Sequence, residues 1–114
     1  MRISDVLTLF SSSTRGSGST NSSSQDVGDY REAIAFARVT DKSGTNPTLD
    51  IKFQGSPDGS NFADLGDSFT QITTTGTYLK KLSENFGKYV RAVATIGGTD
   101  TPTFTFSLSL VVKG

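Results

Sequence analysis

Residues 48–62, TLDIKFQGSPDGSNF, leave this chain few ways to fold. Leu49, Ile51 and Phe53 alternate with Asp50, Lys52 and Gln54. That period of two gives one apolar face and one wet face, the pattern of a half-buried strand. Pro47 stands just ahead, where a missing N–H costs little in strand pairing. Gly55 to Asn61 then gathers turn formers: Pro57 presets φ, Asp58 accepts from nearby backbone N–H groups, and Gly59 takes a positive φ. Phe62 restarts the apolar pattern. The stretch reads as strand, tight turn, strand.

The same period recurs along the chain. Val6, Thr8 and Phe10 alternate with Leu7 and Leu9 over residues 5–12, predicting a first strand partly apolar on both faces and covered on both. Residues 29–41, DYREAIAFARVTD, have helical propensity around Ala33 to Ala37, but the continuation through Phe36 and Val39 and the DKSG turn at 41–44 favour a strand. Its faces are Ile34, Phe36, Arg38 and Ala33, Ala35, Ala37, Val39, so a central place in a sheet is expected. A short strand ends at 63–67, and further strands are expected at 68–73, 77–82, 88–96 and 103–112, with turns at 74–76 and 97–98 and a loop at 83–87. The last strand alternates most cleanly, Phe104, Phe106, Leu108, Leu110 and Val112 against Thr103, Thr105, Ser107, Ser109 and Val111.

A faint internal echo links Phe36 to Ile51 with Val90 to Phe106. Each runs from a small-residue strand through Gly-Thr and Pro-Thr into a strongly alternating strand. Two similar hairpins of this kind suit a two-sheet sandwich. With turn signals about every 8–12 residues, the expected fold is all-β, a single-domain antiparallel β-sandwich, jelly-roll-like. Residues 11–25, SSSTRGSGSTNSSSQ, contain no apolar side chain, and read as a flexible segment after the first strand, or as an arm that orders against a neighbouring subunit. The expected division is 1–25, N-terminal strand and arm, and 26–114, the sandwich. At 114 residues there is room for one domain and not two ordinary ones.

Composition removes several kinds of chemistry. Histidine and cysteine are both absent, which takes away the commonest general base and metal ligand and any thiolate or disulfide. Asp58, Asp64 and Asp67 lie near one another but each suits a turn; a calcium site from Asp58, Asn61 and Asp64 lacks the full loop spacing. No catalytic residue, cofactor or metal site is expected, and no enzymatic activity. Eleven basic and eleven acidic residues balance, so nothing draws the chain to nucleic acid or an anionic membrane. The cluster Tyr78, Lys80, Lys81, Lys88, Tyr89, Arg91 reads as an ordinary charged sheet face. The apolar residues of MRISDVLTLF are broken by polar ones, unlike a signal peptide, so the expected location is the cytoplasm of synthesis or a particle assembled there. A carbohydrate-binding module is the rival reading; without Trp its stacking rings would be Tyr30, Phe62, Tyr78, Phe86 and Tyr89.

Four stretches carry a resemblance: Ser56, Asp58, Gly59 and Phe62 at the turn; Phe69 to Thr73; Gly87 to Arg91; and Thr101 to Phe106. The 44–50 segment joins them. Together they resemble small β-sandwich structural proteins of tailed bacteriophages and prophages, over about residue 26 to the end. The aromatic after the turn, often Trp in that group, is Phe62 here. The Asp-Gly turn and Tyr-Val-Arg strand are also similar to discoidin-like sandwiches, which bind glycans or lipids. The phage resemblance implies a virion protein, a head decoration (cement) protein contacting the major capsid protein and neighbouring copies. It implies a homo-oligomer, a trimer favoured, on the capsid surface. A neck or tail accessory protein for host attachment is the alternative within that group. Partner-facing candidates are Val6, Thr8, Phe10 and Arg15 on the first strand and arm, with Tyr30, Arg38, Tyr89 and Arg91; the two last arginines stand equally as members of buried ion pairs.

Overall fold

The computed structural model describes residues 4–28, 30–82 and 86–114; Asp29 at the head of the expected 29–41 strand, residues 83–85 of the expected 83–87 loop, and residues 1–3 lie outside it. The described elements are all strands: β1 (Ser4–Gly16), β2 (Gly18–Asn21), β3 (Gln25–Asp26), β4 (Glu32–Ser56), β5 (Ala63–Ser68), β6 (Gly76–Lys81) and β7 (Tyr89–Lys113).

β4 and β7 organise the rest. Each is 25 residues long, against about five or six for an ordinary strand. They pair antiparallel from end to end, and the register breaks only near Val39/Asp41 and between Ser43 and Thr48. At the second break both strands change direction. Residues 32–43 of β4 lie beside 103–113 of β7, and 48–56 beside 89–97. β1 flanks the second arm of β7, and β6 flanks the first arm of β4. One layer therefore runs β1, β7 second arm, β4 first arm, β6. The other runs β2 and β3, β7 first arm, β4 second arm, β5. Two four-stranded layers in that order are a jelly roll. The molecule's smallest extent, 20 Å, suits two sheets stacked about 10 Å apart.

The expected sandwich is thus present, and the internal echo acquires a physical meaning. Each long strand carries a small-residue arm followed by a bulky one. Antiparallel pairing sets the small arm of one beside the bulky arm of the other in both layers: Ala35 opposite Leu110 and Ala37 opposite Leu108, then Phe53 opposite Ala92 and Ile51 opposite Ala94. A bulky row beside a small row lets the two layers interdigitate. All these residues belong to one core cluster and none exceeds 2% exposure.

The echoes are not two hairpins, however. They are the two corners of one bent ribbon, and they pack on each other. Gly44 (φ +100) lies so close to Pro102 that a Cβ would come within 2.7 Å of its Cα, and Gly98 (φ +126) stands in the same relation to Pro47 at 3.0 Å. Both prolines are buried. Asn46, Asp100 and Thr101 also take positive φ, and the Thr45 hydroxyl donates to the Asp100 carboxylate. So 41–44 and 97–98 do not reverse the chain; they turn it from one layer into the other.

Three further expectations change. Residues 11–25 are not a flexible arm in this structure. β1 continues to Gly16, β2 and β3 pair with β7, and the segment forms the edge of both layers. Residues 68–73 are not a strand: Phe69 N–H bonds to Ile51 O, and one isolated bridge joins Ile72 to Leu49, while Phe69 and Ile72 are buried. β1 does not alternate simply either. A register shift between Thr8 and Phe10 buries both Leu9 and Phe10 and leaves Val6 60% exposed, so one face of the strand is uncovered.

Candidate functional site

With both inner faces spent on the core, the outer faces of the two layers are what this fold presents to a partner, and they differ in kind. The second layer's outer face is polar and internally paired. Gln71 Nε2 donates to the Asp50 carboxylate at 3.2 Å, Lys52 Nζ lies 3.2 Å from Asp64, and Gln54 Nε2 donates to Asp64 at 2.9 Å. Arg91 Nε donates to Gln54 Oε1 at 2.9 Å while its guanidinium stacks 4.0 Å from the Phe62 ring. Donation from Gln54 and then Lys52 holds Asp64 below the usual carboxylate range.

The 56–62 turn borders this face. Asp58 accepts from the N–H groups of Asn61 and Ser60, from the Asn61 amide, and from the Ser56 hydroxyl. Those bonds, the Asn61 N–H first, hold its carboxyl far below the ordinary carboxylate range. Ser56, 2% exposed, also accepts the N–H groups of Asp58 and Gly59. The turn is as expected, and Gly59 takes φ +81. Its carboxylate serves the turn. Among the described residues no group of three or more His, Cys, Asp or Glu is placed to hold a metal ion; Asp58 and Asn61 are bonded to each other, and Asp64 to Gln54 and Lys52.

The first layer's outer face is different. By register, Val6, Val111, Ile34 and Lys81 form one row across its four strands, and Thr8, Ser109, Phe36 and Leu79 the next. Val6 and Leu79, 60% and 52% exposed, are the large exposed hydrophobic residues among those described. They sit on opposite edge strands, with half-buried Val111, Ile34 and Phe36 between them. Arg38 stands one row further along.

The eight candidate partner residues therefore separate. Val6, Thr8 and Arg38 come together on the first layer's outer face. Phe10 is in the core, 3% exposed, edge-on to Phe106 at 5.4 Å. Arg15 closes the bulged part of β1: it donates to the carbonyls of Ser11, Ser13 and Phe106, and its guanidinium lies 4.7 Å from the rings of both Phe10 and Phe106. Tyr30 packs against the core. Tyr89 is half-buried at the other end of the molecule, its ring over Gly59, and Arg91 is on the second layer as described. Ile34, Phe36, Leu79 and Val111 were not among the candidates. For Ile34 and Phe36 the signal was the apolar second face of 33–39, which reads equally as burial. Of the rings suited to stacking a sugar, Phe86 is buried, and Tyr30, Phe62, Tyr78 and Tyr89 are half-buried and packed.

No protein-family model and no curated protein matches this sequence. Solved structures do match in fold. The SPBc2 prophage-derived protein YomS superposes with a TM-score of 0.63 at 9% identity, covering 100% of this chain and 96% of that one. The VP2 subviral particle of infectious bursal disease virus gives 0.68 at 13% identity, over 98% of this chain and 32% of VP2. A Bacillus endospore appendage from a family of disulfide-linked pili gives 0.56 at 12% identity, over 97% and 87%. At such identities the likeness is one of fold.

Proposed function

We propose that the chain is a structural virion protein of a tailed phage, a decoration protein seated on the head, which stabilises the shell by binding the major capsid protein and neighbouring copies. The observation that carries this reading is the end-to-end likeness to a prophage-derived protein: the whole of YomS corresponds to this one domain. The turn and strand pattern of residues 44–106 points to the same group. A viral capsid protein uses the same fold for about a third of its length. The disulfide linkage of the pili has no counterpart, because this sequence has no cysteine.

The physics suits the role. A small, neutral, thiol-free sandwich can tile a shell, and weak contacts repeated over a lattice add through multivalency. A homo-oligomer, a trimer favoured, would add contacts between copies. The test is immunogold labelling of particles from the producing lysate. Gold over the heads is the expected result. Gold confined to tails would move the protein to host attachment, and no gold on particles would overturn the virion reading.

A further inference from the structure

We propose that the outer face of the first layer is the docking surface, and that its occupant is a coat-protein surface with an apolar centre and a carboxylate rim; this rests on the virion reading above. Three observations lead there. The first is the apolar strip itself. Val6 and Leu79 are the large hydrophobic residues left exposed among those described, and the register bridges them through Val111, Ile34 and Phe36. The strip crosses three strand spacings, about 14 Å. An exposed apolar strip continuous across a sheet marks an interaction site more than scattered single residues do.

The second is the contrast between the layers. On the opposite outer face Asp50, Lys52, Gln54, Asp64 and Arg91 have each found partners within the chain. That surface is finished in the monomer.

The third is charge. Arg38, Lys81 and Lys113 share the apolar face by register. Among the described residues none of their side chains makes a hydrogen bond or ion pair. Two acids share this face by register: Glu32 is already engaged, and Asp41, one row beyond Arg38, accepts the Lys42 N–H, so the three cations outnumber the one acid without a cation partner. The unpaired charge bordering the strip is therefore positive. A second copy stacked face to face would oppose arginine and lysines with the same set, which disfavours self-pairing. A partner with carboxylates around an apolar patch would match both features. Four strands of about ten residues offer roughly 600 Å² of footprint, approaching the ~800 Å² per partner of a standard interface.

The probe is coat shells purified from a lysate of the same phage lacking this chain, titrated with purified protein by co-sedimentation. Two double variants address the face, Val6→Ser with Leu79→Ser and Arg38→Glu with Lys81→Glu. Asn21→Glu, an exposed position on the second layer, is the control, and thermal melts establish that each is folded. The wild type is expected to bind, more weakly as salt rises. Each double variant should lose about tenfold or more in affinity, and the control should bind as the wild type does. If the wild type binds and both double variants bind equally well, this face is overturned while the virion reading stands. If the wild type itself does not bind shells, the head-decoration reading and the coat-protein occupant fall together. A wild-type dimer in sedimentation that Val6→Ser with Leu79→Ser dissolves would give the face to a second copy and overturn the stated occupant.

Discussion

Arg15 shows how much of a side chain's role depends on the backbone around it. In a Ser/Gly-rich stretch it reads as an exposed cation available to a partner. In the fold, a register shift between Phe10 and Ser13 interrupts the ladder of β1 with β7, and the guanidinium supplies donors to the carbonyls of Ser11 and Ser13 while covering two core rings. Burial lowers its pKa from the usual arginine value. Hydrogen bonds from a charged donor contribute about 1.5–3 kcal/mol, so Arg15→Ala is expected to lower unfolding stability by about 2 kcal/mol in urea titration, with Arg15→Lys recovering only part because a single ammonium cannot reach all three carbonyls. Asp58 gives a second residue-scale expectation. Its folded-state pKa lies below the unfolded value of about 3.9, so its contribution is present above that value and lost as pH falls through the folded one. The melting temperature should therefore drop on acidification below about pH 4. Asp58→Asn should melt lower at neutral pH and show a shallower acid decline; identical acid profiles would contradict this role for the turn.

At the scale of elements, the corner where β4 and β7 change layers is the most demanding part of the chain. Gly44→Ala would put a Cβ within 2.7 Å of the Pro102 backbone at φ +100. Such backbone strain costs on the order of 1–3 kcal/mol before any clash is relieved, so the free energy of chemical unfolding should fall by at least that much. Gly16→Ala, with nothing within 4 Å of its Cβ and an ordinary φ, should leave it nearly unchanged. The Gly-Thr and Pro-Thr residues of this corner were legible as breaks in the strand pattern. The angle of the break was not, since a hairpin and a corner both use glycine at positive φ, and only the pairing of 45 with 99 distinguishes them. The 11–25 segment was illegible for a different reason. What orders it is backbone pairing to the edge of β7, with Ser22 N–H to Ala92 O at 2.8 Å, and cross-strand hydroxyl pairs Thr14–Thr105 and Ser19–Thr95. Ladder hydrogen bonds leave no hydrophobic pattern to read. Residues 68–73 differ the other way: Phe69 and Ile72 do bury, but as two anchors of a loop that runs alongside β4, bonded at Ile51 and Leu49, without the continuous alternation of a strand. The proposed docking face was half legible, for Val6, Thr8 and Arg38 stand out in the sequence, while Ile34 and Phe36 signal only that a second face is apolar.

The whole molecule rests on one core shared by both layers, so a cavity in either should be felt globally. Leu108, fully buried on β7, is the cleanest site. Leu108→Ala is expected to cost about 2–5 kcal/mol in a single cooperative transition, whereas two separated transitions would mean the layers fold independently. Seen whole, the molecule has one finished outer face and one unfinished one, which is the form expected of a part that tiles a larger surface. Reconstruction by cryo-electron microscopy of particles with and without this chain tests that most directly. Difference density of one jelly roll per repeating site on the outer head shell, with the β1–β6 layer turned towards the coat, is the predicted result. Heads that are identical with and without the chain would contradict it.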